Sequence, residues 1–166
     1  MAKKTKNILL VGNPNVGKST VFNHLCNRQQ KTGNYAGVTV ESHTGSYDYE
    51  GETITITDLP GAYSIYPSSE DEAVFSRFLV QEPREYHRIL YIADAINIRR
   101  SLLLLQQIKD LGIPVMMVLN QMDLAQKKGF AFDLAKMEKA LGVKIRRRYR
   151  PGRCHGAQPR PVARPG

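Results

Sequence analysis

The chain has 166 residues, 42% of them hydrophobic and 23% charged, with a formal net charge of +9. That length suits one domain with a real core, and the composition is that of an ordinary globular protein. No apolar run approaches the ~20 residues that cross a bilayer, the longest being Leu102 to Leu105 and Ile113 to Leu119. The lysines at the N-terminus lead through Ile8 to Gly12 straight into a motif, without the apolar region and cleavage site of a signal peptide. Cys26 and Cys154 have neither metal-type spacing nor a disulfide-framework pattern, which fits a reducing, cytosol-facing setting.

The charge is unevenly spread. Eight of the 24 basic residues and none of the 15 acidic ones fall in residues 144–166. The body is therefore near neutral and the basic character belongs to the tail. That tail also holds Pro151, Pro159, Pro161 and Pro165, and such a stretch cannot bury enough apolar surface to fold alone. The expected boundary lies near Val143, with a folded domain over residues 1–143 and a basic, disordered tail over residues 144–166.

In chain order, Ile8 to Gly12 reads as a buried strand ending in glycine. Lys18 to Asn27 carries Val21, Phe22, Leu25 and Cys26 at helical spacing. Tyr47 to Tyr49 and Thr53 to Thr57 flank Glu50-Gly51-Glu52 as a hairpin. Asp71 to Val80 is expected to be a helix, Ile89 to Ala93 a buried strand, and Ile98 to Leu111 a helix stopped at Gly112. Val115 to Leu119 is a further buried strand. Asp133 to Leu141 is a helix capped at Phe132 or Asp133 and ended by Gly142. Strands alternating with helices imply an α/β fold, a mostly parallel sheet with helices on both faces. The hairpin adds one antiparallel edge strand. Ligands in such sheets lie at the carboxyl ends of the strands.

Three motifs fall at those ends. Gly12-Asn13-Pro14-Asn15-Val16-Gly17-Lys18-Ser19 has the pattern G-x-x-x-x-G-K-[ST] between a strand and a helix. Its backbone N–H groups suit a phosphate, and the helix beginning at Lys18-Ser19-Thr20 adds favourable potential. Lys18 can reach the outer phosphates, and the Ser19 hydroxyl can ligate Mg²⁺. Asp58-Leu59-Pro60-Gly61 follows the strand Thr53 to Thr57. The Asp58 carboxylate can hold Mg²⁺ through water, and the Gly61 N–H can meet a γ-phosphate. Asn120-Gln121-Met122-Asp123 ends the strand Val115 to Leu119. The Asp123 carboxylate can accept from guanine N1–H and N2–H₂, a donor pair that adenine lacks, while Asn120 braces the base and the phosphate loop. Each motif alone also describes a plain turn; in this order they select a guanine-nucleotide site. "GNYAGVTVE", residues 33–41, then lies where a switch loop belongs. Thr39 is the residue whose hydroxyl can close on Mg²⁺, with Gly37 and Val38 beside it and Gly33 and Gly37 easing backbone change. Ala62 follows Gly61, so no glutamine side chain orients water there, and slow turnover is expected.

The phrases "GNPNVGKSTVFN", "GNYAGVTVE", "DLPGAYS", "DEAVFSRFL" and "LGIPVMMVLNQMD" resemble the cytoplasmic G domain of the FeoB family of ferrous-iron transporters, over residues 7 to 143. The resemblance implies a P-loop NTPase fold of the small-GTPase type, GTP and GDP binding, slow hydrolysis with Mg²⁺, and a location at the cytoplasmic face of the bacterial inner membrane. It also implies a membrane iron-channel domain in the same polypeptide, of which these residues contain no part. By the same resemblance Asn15 matches an asparagine that helps hold an activating K⁺. The family continues with a last strand, a loop contacting guanine O6 and a final helix. Here "KIRRRYRPGRCHGAQPRPVARPG" stands instead, so the last strand and helix are expected to be missing. The strand Val115 to Leu119 is then expected to leave an apolar edge. Two other readings stay open: a nucleotide-binding fragment with negligible turnover, and an RNA-associated GTPase resembling the Era and Der families. The tail has one tyrosine and no folded scaffold, which argues against a nucleic-acid partner.

Overall fold

The structure is a computed structural model and describes residues 5–26, 30–35, 39–81 and 86–148. Its elements are β1 (Thr5–Gly12), α1 (Lys18–Cys26), β2 (Gln30–Asn34), β3 (Glu41–Tyr49), β4 (Glu52–Asp58), α2 (Glu70–Ser76) running into a π-helical turn (Arg77–Gln81), β5 (Arg88–Asp94), α3 (Ile98–Asp110), β6 (Val115–Asn120), α4 (Met122–Lys127), α5 (Leu134–Leu141) and β7 (Lys144–Arg147). They form one seven-stranded sheet in the order β2-β3-β4-β1-β5-β6-β7. The neighbours β4-β1-β5-β6-β7 pair in parallel; β3 runs antiparallel to both β4 and β2.

β1 shows why the sheet needs cover on both faces. Leu9 and Val11 enter one core with Leu59, Phe75, Tyr91, Leu104, Ile108 and Met117. Leu10, between them, enters the other with Val16, Val21, Phe22, Ile54, Ile56 and Ile92. Side chains of a strand alternate faces, so a run of consecutive apolar residues requires a layer on each side. α1 covers the second core; α2, α3 and α4 contribute to the first.

The helix limits follow local chemistry. Asp133 accepts the Lys136 N–H at 3.1 Å as the N-cap of α5, and Gly142 ends that helix at φ 66. α2 is capped by Ser69, whose side chain accepts the Glu72 N–H at 3.3 Å. The helix expected over 71–80 is thus seven α-helical residues followed by the π-helical turn.

The expected single antiparallel edge strand is corrected: β3 lies inside the sheet and β2 forms the edge. Gln30-Lys31-Thr32-Gly33-Asn34 has no apolar alternation, and its strand exists by pairing with Glu41–Gly45. The expectation that the last strand is missing is also corrected. Lys144–Arg147 pairs in parallel with Met116–Leu119, and the Arg148 N–H donates to the Leu119 carbonyl at 3.1 Å. The ordered body therefore passes Val143, and the edge of β6 is covered. Ile145 alone carries the strand into the core, at 2% exposure, while Lys144, Arg146 and Arg147 stay exposed, as suits a charged edge strand. The rest of the tail, 149–166, lies outside the described residues.

Candidate nucleotide site

The phosphate-loop residues hold the shape the motif requires. Gly12 ends β1, and Lys18, Ser19 and Thr20 open α1. Between them Asn15 takes φ 63 and Gly17 φ 82, left-handed values that turn the chain back toward the helix. A Cβ at Gly17 would run into the Asn120 amide, so that position tolerates only glycine on two counts.

Two other loops lap onto this one. The Leu59 N–H donates to the Leu10 carbonyl at 3.0 Å and the Ala62 N–H to the Gly12 carbonyl at 3.3 Å. Asn13, buried, donates through Nδ2 to the Ala62 carbonyl at 3.0 Å. Gly61 lies so close to Pro14 that a Cβ would come within 2.9 Å of its backbone. From the other side Asn120 donates to the Val16 carbonyl at 2.9 Å. Its own carbonyl accepts the Ala95 N–H at 3.0 Å.

Lys18 Nζ and the Asp58 carboxylate form an ion pair at the centre of this arrangement. Burial pushes the Asp58 carboxyl above its ordinary range, and the Lys18 ammonium pulls it back only in part. A buried carboxylate in that condition favours further positive charge. With the Ser19 hydroxyl it offers the hard oxygen donors that suit Mg²⁺, so the residues present fit that ion.

The expected site residues divide as follows. Residues 12–20, Asp58–Gly61 and Asn120 come together at the carboxyl ends of β1, β4 and β6, and Asp123 follows β6 three residues on. Gln121 takes φ 60 as the residue preceding α4, and Asp123 sits in that helix's first turn. Met122 faces the core at 3% exposure, and Leu59 is fully buried. Thr39 is exposed, and its hydroxyl donates to Glu70 Oε2 at 3.5 Å, at the start of α2. Gly37 and Val38 lie outside the described residues.

Sequence reasoning assigned no role to three further side chains. Glu72 accepts the Ser68 N–H at 2.9 Å and the Tyr63 N–H at 3.3 Å, holding the segment after Gly61. The spacing Ser69-x-x-Glu72 is a capping-box signature that gives it away. Tyr91, fully buried in β5, donates to the Ser101 carbonyl at 2.7 Å and approaches Asn13 Oδ1 at 3.3 Å; its partners are too distant in sequence to leave a local signal. Tyr35 donates to the Asp58 carbonyl at 2.7 Å; its being the one aromatic of residues 33–41 is its only mark in the sequence.

A phosphate loop at the end of a central strand, a buried carboxylate at the end of its neighbour and an Asn-x-x-Asp loop two strands away define a P-loop domain of the guanine-nucleotide-binding type. Residues 6–149 match the family described as Ferrous iron transport protein B. The chain belongs to that family. It is 43% identical over 142 residues to an Fe(2+) transporter FeoB of Leptospira biflexa, covering 86% of this chain and 20% of that protein. The chain thus spans about a fifth of the length of such curated relatives. Among solved structures, the cytosolic domain of L. pneumophila FeoB matches with TM-score 0.82 and 42% identity, over 86% of this chain and 56% of that one. The cytosolic domain of the T. maritima FeoB iron transporter in its GMPPNP form matches with TM-score 0.81 and 35% identity, over the same shares. Among the described residues no helix is long and apolar enough to cross a membrane.

Proposed function

We propose that this chain binds GTP and GDP and hydrolyses GTP slowly, as the regulatory G domain of a ferrous-iron transporter. In that reading it lies at the cytoplasmic face of the bacterial inner membrane, in one polypeptide with a membrane iron channel. The observation that carries the reading is the bond from Asn120 to the Val16 carbonyl. It joins the loop suited to guanine to the loop suited to phosphate.

Each residue then has a task. Asp123 accepts from the guanine edge and Asn120 keeps that loop in register with residues 12–19. The backbone N–H groups of residues 13–18 and the Lys18 ammonium hold the phosphates. Lys18 already pairs with Asp58, so a bound phosphate competes for its charge and leaves the carboxylate to a metal. Ser19 and Asp58 would hold Mg²⁺, with Thr39 joining when a γ-phosphate is present, and the ion would neutralise charge on the outer phosphates. Asn15, exposed at its left-handed turn, would help hold K⁺, which would supply positive charge of the kind an arginine supplies elsewhere. Gly61 presents its N–H to the γ-phosphate, and Ala62 offers no group to orient the attacking water, which keeps turnover low.

Single-turnover hydrolysis in K⁺ and in Na⁺ tests this reading. The unmutated chain should be faster in K⁺. Asn15→Ala should remove the difference while leaving GDP affinity largely intact. Equal rates in both salts for the unmutated chain contradict the K⁺ assignment, and no hydrolysis in either contradicts the activity.

A further inference from the structure

Tyr35 is the large aromatic of the loop sequence GNYAGVTVE, and the nucleotide chemistry outlined above gives it no task. It is nevertheless buried, at 5% exposure. Its ring stands edge-on to Phe78 of the π-helical turn, with centroids 5.0 Å apart. A residue needed only to fill that space would carry no hydroxyl, since burying one without a partner is costly. Here the hydroxyl donates to the main-chain carbonyl of Asp58 at 2.7 Å, and the carboxylate of the same Asp58 pairs with Lys18. Asp58 is therefore held at both ends.

The backbone of Tyr35 makes a second connection. The β2-β3 ladder ends at the pair Asn34 and Glu41, and the Tyr35 N–H donates to the Val40 carbonyl at 2.9 Å, closing one pair further out. Thr39 is the next residue beyond that closure. One side chain and its own N–H thus reach both Asp58 and the base of the segment that carries Thr39.

We propose that Tyr35 is a positioning residue that sets Thr39 and Asp58 against each other, so that the two oxygen donors meet one divalent cation when a triphosphate is bound. This rests on the nucleotide-site reading given above. Tyr35 acts through its hydroxyl, while its ring supplies only packing against Phe78.

The test uses the whole chain and the variant Tyr35→Phe, which keeps the ring and removes the hydroxyl. Retention of fluorescently labelled GMPPNP and GDP is followed while Mg²⁺ is titrated, with hydrogen exchange read at residues 39–41. The Mg²⁺ concentration for half-maximal retention of GMPPNP should rise about five- to tenfold in Tyr35→Phe, the equivalent of one hydrogen bond. GDP affinity in EDTA should stay as in the parent, and residues 39–41 should lose the added protection that GMPPNP confers. An unchanged Mg²⁺ midpoint would overturn the proposal. So would an equal loss of GDP affinity in EDTA, which marks a packing role alone. If the unmutated chain binds neither nucleotide, or retains both without regard to Mg²⁺, the underlying site reading fails instead, and Tyr35's role with it.

Discussion

The side-chain amide of Asn120 donates to the carbonyl of Val16 across 104 residues of sequence, at 2.9 Å and in a buried position. That bond ties the loop that begins at Asn120 to the loop between β1 and α1. Asn120→Ala should cost about 1–2 kcal/mol of stability, since it leaves a buried carbonyl without its donor. It should also weaken GDP binding by about tenfold, because both loops lose their register. Thermal unfolding and a GDP titration on the same samples check it. Full GDP affinity in a destabilised variant would confine Asn120 to a structural role.

Thr39 should report the triphosphate. Its hydroxyl meets Glu70 in this structure, so engagement with a metal requires it to change partner. Thr39→Ala should reduce hydrolysis and triphosphate-dependent protection of residues 39–41 more than it reduces GDP affinity. Equal protection with GDP and with a GTP analogue in the unmutated chain would count against a switch.

Glu72 gives a pH signature. The Ser68 hydroxyl and N–H, and then the Tyr63 N–H, hold its carboxyl below the ordinary value of 4.5, although burial opposes them. A carboxyl lowered by folding stabilises the protein above its unfolded pKa, and that contribution is lost as pH falls through the lower folded value. Glu72→Gln should cost about 1–2 kcal/mol near neutral pH. The gap to the parent should narrow as pH drops below 4.5. Urea denaturation of both proteins across that range checks it; a pH-independent gap would contradict the assignment.

β7 rests on one apolar side chain. Ile145, at 2% exposure, packs in the larger core, and Ile145→Ala should cost about 2–4 kcal/mol. Arg147→Ala, on an exposed position of the same strand, should cost about 0.5 kcal/mol or less. Denaturation midpoints of the two variants separate a packed strand from a loosely attached one.

What the sequence made legible were the features written in local spacing. β1 and its loop, the three motifs and the caps at Gly112 and Gly142 follow from neighbours in the chain. β2 did not, because Gln30–Asn34 is polar and becomes a strand only through its partner β3. β7 did not, because one isoleucine stands among basic residues whose composition speaks for disorder. α4 was missed because a six-residue helix opened by a left-handed Gln121 offers no periodicity to detect. Within the candidate site, the residues proposed to face the nucleotide carry motif signatures. The residues that hold them, Asn13, Tyr35 and Tyr91, bond to partners 49, 23 and 78 positions away, which no local pattern records.

The central claim is that this is a guanine-selective site read by Asp123. The most direct measurement is a calorimetric titration of the whole chain and of Asp123→Asn with GDP, XDP and ADP in Mg²⁺. The parent should bind GDP and reject ADP. Asp123→Asn should lose GDP affinity by at least tenfold, about 1.4 kcal/mol, and prefer XDP, whose 2-oxo group accepts from the new amide. Unchanged GDP affinity in Asp123→Asn, or equal binding of ADP and GDP by the parent, would contradict it.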